Sequence, residues 1–167
     1  NQDSQSQVWQ KYTGDQVRTV SISADGEYII AGCDDDRVYL WDKDSSTPLW
    51  SYTTGDQVRT VSISADGKYI TIGSWDDEVY FFSKDSSTPL WNYQTDGTVR
   101  SVPISADGEY IAAGSDDYKV YTFRNAPVSR PSVIPYGPRS GSEVLSNTTL
   151  RWFPGSDDIA NLTFDVY

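Results

Sequence analysis

Clusters of acidic residues recur along the chain in positions that could bind a divalent cation. Three clusters follow the same hairpin signal, and their members are Asp34, Asp35 and Asp36, then Asp76 and Asp77, then Asp116 and Asp117. Calcium takes six to eight oxygen ligands, which carboxylates supply. The spacing matches no D-x-D-x-D-G calcium loop, so a second interpretation is favoured, in which the aspartates stabilise each turn and keep a rim hydrated.

Three arginines recur at the start of the first, innermost strand of each repeat, near the expected axis of the propeller. They are Arg18, Arg59 and Arg100. A ring of arginines near a central axis could bind an anion. The forked guanidinium also suits a bidentate bond to a carboxylate. Because the arginines repeat together with the acids, we expect each to pair with an Asp or Glu of the rim.

Trp75 differs from the residues at the same place in the other repeats. Its equivalents are Asp34 and Asp116, whereas Trp50 and Trp91 repeat at a position expected to pack the outer strand. A large aromatic side chain on an otherwise polar turn is explained by contact with another molecule. We therefore predict that Trp75 is exposed and contacts a protein or a glycan.

The composition excludes several kinds of chemistry and partner. The chain has no histidine and a single cysteine, Cys33, so it has neither a Ser/His/Asp triad nor a disulfide within the chain. We expect Cys33 to be a small, half-buried side chain, because Ser74 and Ser115 replace it in the other repeats. The net charge of −11 argues against nucleic acid as a partner.

Two further features concern export. No apolar run is long enough to cross a membrane as a helix. Methionine is absent from all 167 residues, so we expect this sequence to be a processed piece of a longer precursor.

The predicted strands that carry these residues occur in three repeats at a fixed spacing. Similar segments begin at Val17, Val58 and Val99, which sets a period of 41 residues. The first two carry four strand signals, with an Asp-Gly turn after the first strand and Pro-Leu-Trp at the start of the last, and the third carries the first three of these signals. Strand-rich repeats of about 40 residues are typical of β-propeller blades. The predicted fold is all-β, with three four-stranded blades in residues 1–124.

The strand signals at the two ends of the repeats bear on how the propeller ring closes. The chain begins with a last-strand signal at residues 8–13, and the third repeat lacks that strand. Residues 8–13 are thus the strand that a final blade would need. Because closed propellers have four to eight blades, three cannot close. We expect the blades to pack against further blades, either of other copies or of a longer parent chain.

The motifs S-A-D-G-[EK]-Y-I, G-S-D-D-x-x-V-Y and K-D-S-S-T-P-L-W carry a resemblance to a known family. Over residues 9–124 the chain resembles the WD40 and quinoprotein-like propeller repeats of archaeal and bacterial surface proteins. Trp41 and Asp42 are similar to the Trp-Asp pair of WD40 repeats. The resemblance implies a propeller and an extracellular or cell-surface location.

The composition changes after Arg124. Residues 125–141 are rich in Pro, Gly and Ser, which predicts an extended linker. Residues 142–167 resemble the start of a fibronectin type III or immunoglobulin-like sandwich, with Trp152 in the place of its core tryptophan. Asn147 and Asn161 begin Asn-x-Thr sequences and are candidate glycosylation sites.

We expect a non-catalytic repeat module of a secreted or surface-layer-like protein. It would support protein or glycan contacts or self-assembly, and it would need no cofactor. The alternative is a fragment of a quinoprotein-like dehydrogenase with its cofactor on the propeller axis. Absorbance of a bound cofactor would distinguish the two.

Overall fold

The computed structural model describes residues 6–125 of the chain, within a compact unit formed by Asn1–Val128. The predicted sandwich, most of the predicted linker, Asn147 and Asn161 lie outside the described residues, so these predictions stay predictions. Among residues 6–125 no helix has the length and apolar character that a membrane crossing requires.

The described residues form three antiparallel sheets, one for each 41-residue repeat, which confirms the predicted all-β class and the propeller blades. Blade 1 has four strands and blade 2 four, whereas blade 3 has three. Their bounds are β1 Val17–Ile22, β2 Tyr28–Cys33, β3 Arg37–Asp42 and β4 Trp50–Thr53; β5 Val58–Ile63, β6 Tyr69–Ser74, β7 Glu78–Ser83 and β8 Trp91–Gln94; and β9 Val99–Ser101, β10 Tyr110–Ser115 and β11 Val120–Arg124.

The Asp-Gly turns adopt the backbone conformation that the sequence predicts. Gly26 has a φ of 75°, a left-handed value that favours glycine, and Gly67 and Gly108 have φ values of 70° and 71°. The Asp25 carboxylate accepts bonds from the Ser23 hydroxyl, at 2.5 Å, and from the Glu27 amide, at 3.0 Å. These bonds recur in all three blades and join the first strand of each blade to the second.

The core lies between the blades rather than within one of them. β1 and β5 share the sequence Val-Arg-Thr-Val-Ser-Ile, yet they differ in burial. In blade 2 the apolar side chains of this strand are covered by blade 1, and Val61 is 7% exposed. In blade 1 the described residues include no blade that covers this face, and the equivalent Val20 is 67% exposed. Each face of a blade therefore becomes core only when a neighbour covers it.

The predicted N-terminal strand at residues 8–13 is wrong for this chain, since residues 6–13 have no strand structure. The strand that residues 8–13 would pair with, β11, belongs to the blade at the other end of the row of three. Trp9 nevertheless contacts blade 1 as Trp50 contacts blade 2. Its ring lies 5.9 Å from that of Trp41, and its indole nitrogen donates to the Lys43 carbonyl at 2.6 Å.

Candidate functional site

In blades 1 and 3 the acid at the first position of the acidic cluster, Asp34 or Asp116, binds the repeated arginine of the same blade. The Arg18 guanidinium donates from Nε to both carboxylate oxygens of Asp34 at 2.7 Å, and Arg100 contacts Asp116 in the same way at 2.9 and 3.0 Å. These bonds lower the pKa of both aspartates below its usual range. The two pairs therefore place these arginines in ion pairs with rim acids.

Blade 2 departs from this arrangement, because Trp75 stands where the other blades have the acid. The Arg59 guanidinium carbon lies 4.5 Å from the centre of the Trp75 ring, in a cation–π contact. The expected pairing of Arg59 with a carboxylate is thus replaced by stacking on an aromatic ring. Trp75 itself is 37% exposed, so its side chain is partly accessible to solvent.

The acid at the second position of each cluster, which is Asp35, Asp76 or Asp117, links the turn to the blade. In blade 2 Asp76 accepts the Gly55 amide at 2.7 Å, the Glu78 amide at 3.0 Å and the Tyr80 hydroxyl at 2.6 Å. Asp35 makes the same three kinds of bond in blade 1. Burial, together with the hydrogen bond to Asp35, raises the pKa of Tyr39 to about 12. These carboxylates act as structural acceptors.

The third position of each cluster requires a left-handed backbone. Asp36 and Asp77 have φ values of 63° and 66°, and the equivalent Tyr118 has 67°. Aspartate tolerates this region better than most side chains. The carbonyls of Asp36 and Asp77 accept the amides of Thr54 and Thr95 at 2.8 Å. These residues close the turn rather than presenting carboxylates to a shared ion.

The fold does not bring the acidic side chains of residues 6–125 together into a calcium site. Within residues 6–125 no group of three or more carboxylate, cysteine or histidine side chains is arranged to hold a metal ion. The carboxylates at the first two positions of the clusters instead accept hydrogen bonds from arginine, tyrosine and backbone amide groups. Cys33 is fully buried, rather than half-buried as expected, and burial raises the pKa of its thiol to about 11.

Sequence reasoning missed the tyrosine side chains that complete this framework, and it predicted that Trp50 packs without giving its partners. Tyr39, Tyr80 and Tyr121 each donate to the second acid four residues earlier. The Trp50 indole donates to the Lys84 carbonyl at 2.7 Å and its ring stacks on Phe82 at 5.4 Å. The fixed Asp-to-Tyr spacing in all three repeats was a signal that could have revealed the first set.

Besides Trp75, apolar side chains are exposed on the two blade faces that no neighbouring blade covers within residues 6–125. Blade 1 exposes Val17, Val20 and Ile22 to 48%, 67% and 58%. Blade 3 exposes Tyr110 to 53% and Val120 to 79%. Beside Tyr110 lies a shallow apolar depression bordered by Pro103, Ile111, Ala112 and Thr122. Contiguous apolar surface of this kind marks contact with another molecule.

We expect Trp75→Asp to leave the free energy of unfolding within about 0.5 kcal/mol of the parent value. The substitution removes the cation–π contact with Arg59 but restores the ion pair found in the sister blades, and these effects are of similar size. Trp50→Asp is the control, since it deletes a packed ring and should cost about 3 kcal/mol or more. Urea unfolding measures both, and a loss above 2 kcal/mol for Trp75→Asp would show that Trp75 is core.

The comparison with known proteins agrees with this geometry. No curated protein gives a significant match to the chain. A family model described as outer membrane protein assembly factor BamB matches residues 1–146, which include all three blades. The match covers most of the 167 residues. The chain therefore belongs to this family of propeller repeat proteins.

Proposed function

We propose that the chain is a non-catalytic interaction module of a secreted or cell-surface protein, and that the contacts it makes are with protein. The observation that carries the proposal is the pair of open blade faces. A stripe of three apolar side chains on β1 is largely exposed, although the same stripe is core in blade 2. Such a surface is stabilised by a covering protein surface.

Two further observations support the proposal. Most of the acids and arginines that could have formed a catalytic or metal site are engaged in ion pairs and hydrogen bonds that stabilise the turns of the rim. The family description names an outer membrane protein assembly factor. We extend both the envelope location and the protein contact to this chain.

Trp75 and Arg59 form the second proposed contact surface. The partly exposed ring lies beside a cation, an arrangement that suits a protein side chain or a neutral glycan. This surface lies on the rim and is separate in kind from the blade faces, which are flat and apolar.

A dilution series tests the proposal. We expect the 167-residue chain to associate at high concentration and to bind the apolar dye ANS when diluted to the monomer, because dilution uncovers the blade faces. A monomer that binds no dye at any concentration would contradict it.

The enzymatic alternative predicts a different result. A quinoprotein-like dehydrogenase fragment should bind pyrroloquinoline quinone stoichiometrically in equilibrium dialysis, with the absorbance of the bound cofactor. We expect no retention of the quinone by the chain, and stoichiometric retention would favour the enzyme.

A further inference from the structure

The repeated arginine binds an aspartate in blades 1 and 3, which defines the kind of group that this position accepts. Arg18 of blade 1 donates from Nε and Nη2 to Asp34, and Arg100 of blade 3 does the same to Asp116. Both aspartates hold the first position of the acidic cluster in their blade. The second residue of the first strand therefore presents its guanidinium to a carboxylate.

Blade 2 keeps the arginine but has no acid to pair with it. Arg59 is the second residue of β5, as Arg18 is of β1, whereas Trp75 stands at the first position of its cluster. Within residues 6–125 no carboxylate lies within ion-pair distance of Arg59, and no residue accepts a hydrogen bond from its side chain. Blades 1 and 3 pack on either side of blade 2 and belong to this described part, so neither supplies the missing acid.

The charge around Arg59 is positive, although the whole chain carries −11. At the boundary of blades 1 and 2 the charges of Arg18 and Asp34 cancel in their ion pair. The pKa of Asp34 is lowered by the bond to Arg18 and, to a smaller extent, by the charge of Arg59, so Arg59 lies near this pair without joining it. A cation that the neighbouring blades leave unbalanced favours a ligand group with negative charge.

Trp75 holds the guanidinium and leaves its hydrogen-bond donors available. The Arg59 guanidinium carbon lies 4.5 Å from the centre of the ring, and a cation–π contact of this kind uses none of the N–H groups as hydrogen bonds. The five N–H donors lie in the plane of the group and match the two oxygens of a carboxylate. The partly exposed ring adds apolar surface beside them.

We propose that Arg59 and Trp75 bind the carboxylate of an aspartate or glutamate side chain on a partner protein, which replaces the acid that blade 2 lacks. The inference rests on the proposed function and names the chemistry of its protein contact at the rim. Arg59 makes the bidentate bond that Arg18 makes within the chain, and Trp75 packs against the methylene group beside the partner's carboxylate. A protein carboxylate is the occupant because the same position holds an aspartate in blades 1 and 3.

Two model peptides that differ in one group test the carboxylate. The probes are acetyl-Gly-Asp-Gly-amide and acetyl-Gly-Asn-Gly-amide, each added to the 167-residue chain. The NMR signals of Arg59 Nε–H and of the Trp75 indole N–H report binding. We expect the aspartate peptide to shift both signals to saturation. The asparagine peptide should bind about 10-fold more weakly or worse, because it cannot form a charge-assisted bidentate bond.

Three variants and a matched control locate the binding. Arg59→Gln removes the donors and should weaken binding of the aspartate peptide by about 10-fold or more. Trp75→Ala removes only the ring and should weaken it by about 3-fold. Trp75→Asp should abolish binding, because the new carboxylate pairs with Arg59 inside the chain. Arg100→Gln is the control, since Arg100 is already paired with Asp116, and it should leave the affinity unchanged.

The two substitutions of Trp75 separate this site from a simple aromatic contact. If the ring alone bound the peptide, alanine and aspartate would weaken binding equally. A larger loss with aspartate is expected only where the ligand's carboxylate and the new one compete for Arg59. Circular dichroism and urea unfolding of each variant confirm that it is folded.

Other outcomes overturn the inference. No shift with either peptide, equal binding of the two, or full binding by Arg59→Gln would each reject a carboxylate site at Arg59. Acetate that binds as tightly as the aspartate peptide would show that any small anion suffices, and tighter binding of galacturonate would make the ligand a sugar acid instead of a protein. A chain that still associates and binds ANS on dilution would keep the proposed protein contact while this site is rejected.

Discussion

Gly73→Ala is expected to lower the free energy of unfolding by about 1–3 kcal/mol, the range for overpacking a filled core. The new methyl would lie 2.5 Å from Cγ1 of Val99 and 2.7 Å from Cγ2 of Thr60. Both are branched at Cβ and cannot turn aside easily. Either blade 3 moves away from blade 2 or the strand shifts. Urea unfolding followed by tryptophan fluorescence gives the value.

The same substitution one repeat later is the control. Gly114→Ala places its methyl in open space, so the dilute monomer should be unchanged or more stable by about 0.5 kcal/mol, because alanine restricts the unfolded chain. Opposite effects at the two equivalent glycines would follow from Val99 of the next blade, which contacts only Gly73, together with Thr60, whose place Ser101 takes in blade 3. Equal losses at both positions would contradict stacking of blade 2 on blade 3.

Asp76→Asn should cost about 2 kcal/mol, since it keeps the shape of the side chain and removes one acceptor oxygen. Asp76 accepts two backbone amides and the hydroxyl of Tyr80, which is only 5% exposed. With asparagine, at least one buried donor faces an NH₂ group and loses its partner. Thermal and urea unfolding should show the loss together.

Asp77→Asn is the matched control, because it removes the same charge from the next residue. Its backbone has a φ of 66°, which asparagine tolerates, and its carboxylate accepts no hydrogen bond from the described residues. We expect a change below about 0.5 kcal/mol. A comparable loss in both variants would mean that charge, rather than the bonds to Asp76, stabilises the turn.

The repeat made the blades predictable, because both the alternation and the turns are written three times. The period of 41 residues placed every strand within a few residues, and Asp-Gly predicted the positive φ at Gly26. The strand predicted at residues 8–13 was wrong for a physical reason: β-pairing needs a partner, and the edge of β11 lies at the far end of the chain.

The rim was predictable only in part. Repetition alone suggested that Arg18 and Arg100 pair with acids, but it implied the same for Arg59, whose acid is replaced by Trp75. Which acid of a cluster binds which partner depends on distances in three dimensions, as for Asp76 with Tyr80 and the Gly55 amide. Sequence spacing does not give these distances between separate strands.

The most direct test compares the side chains of two strands with one sequence. A soluble paramagnetic agent broadens the NMR signals of exposed methyl groups, so it reports whether Val20 and Val61 differ in exposure. In the dilute monomer we predict strong broadening for Val20 and little for Val61. On association Val20 should become as protected as Val61. Equal exposure of both in the monomer, or a Val20 that stays exposed after association, would contradict blades whose faces are completed by a neighbour.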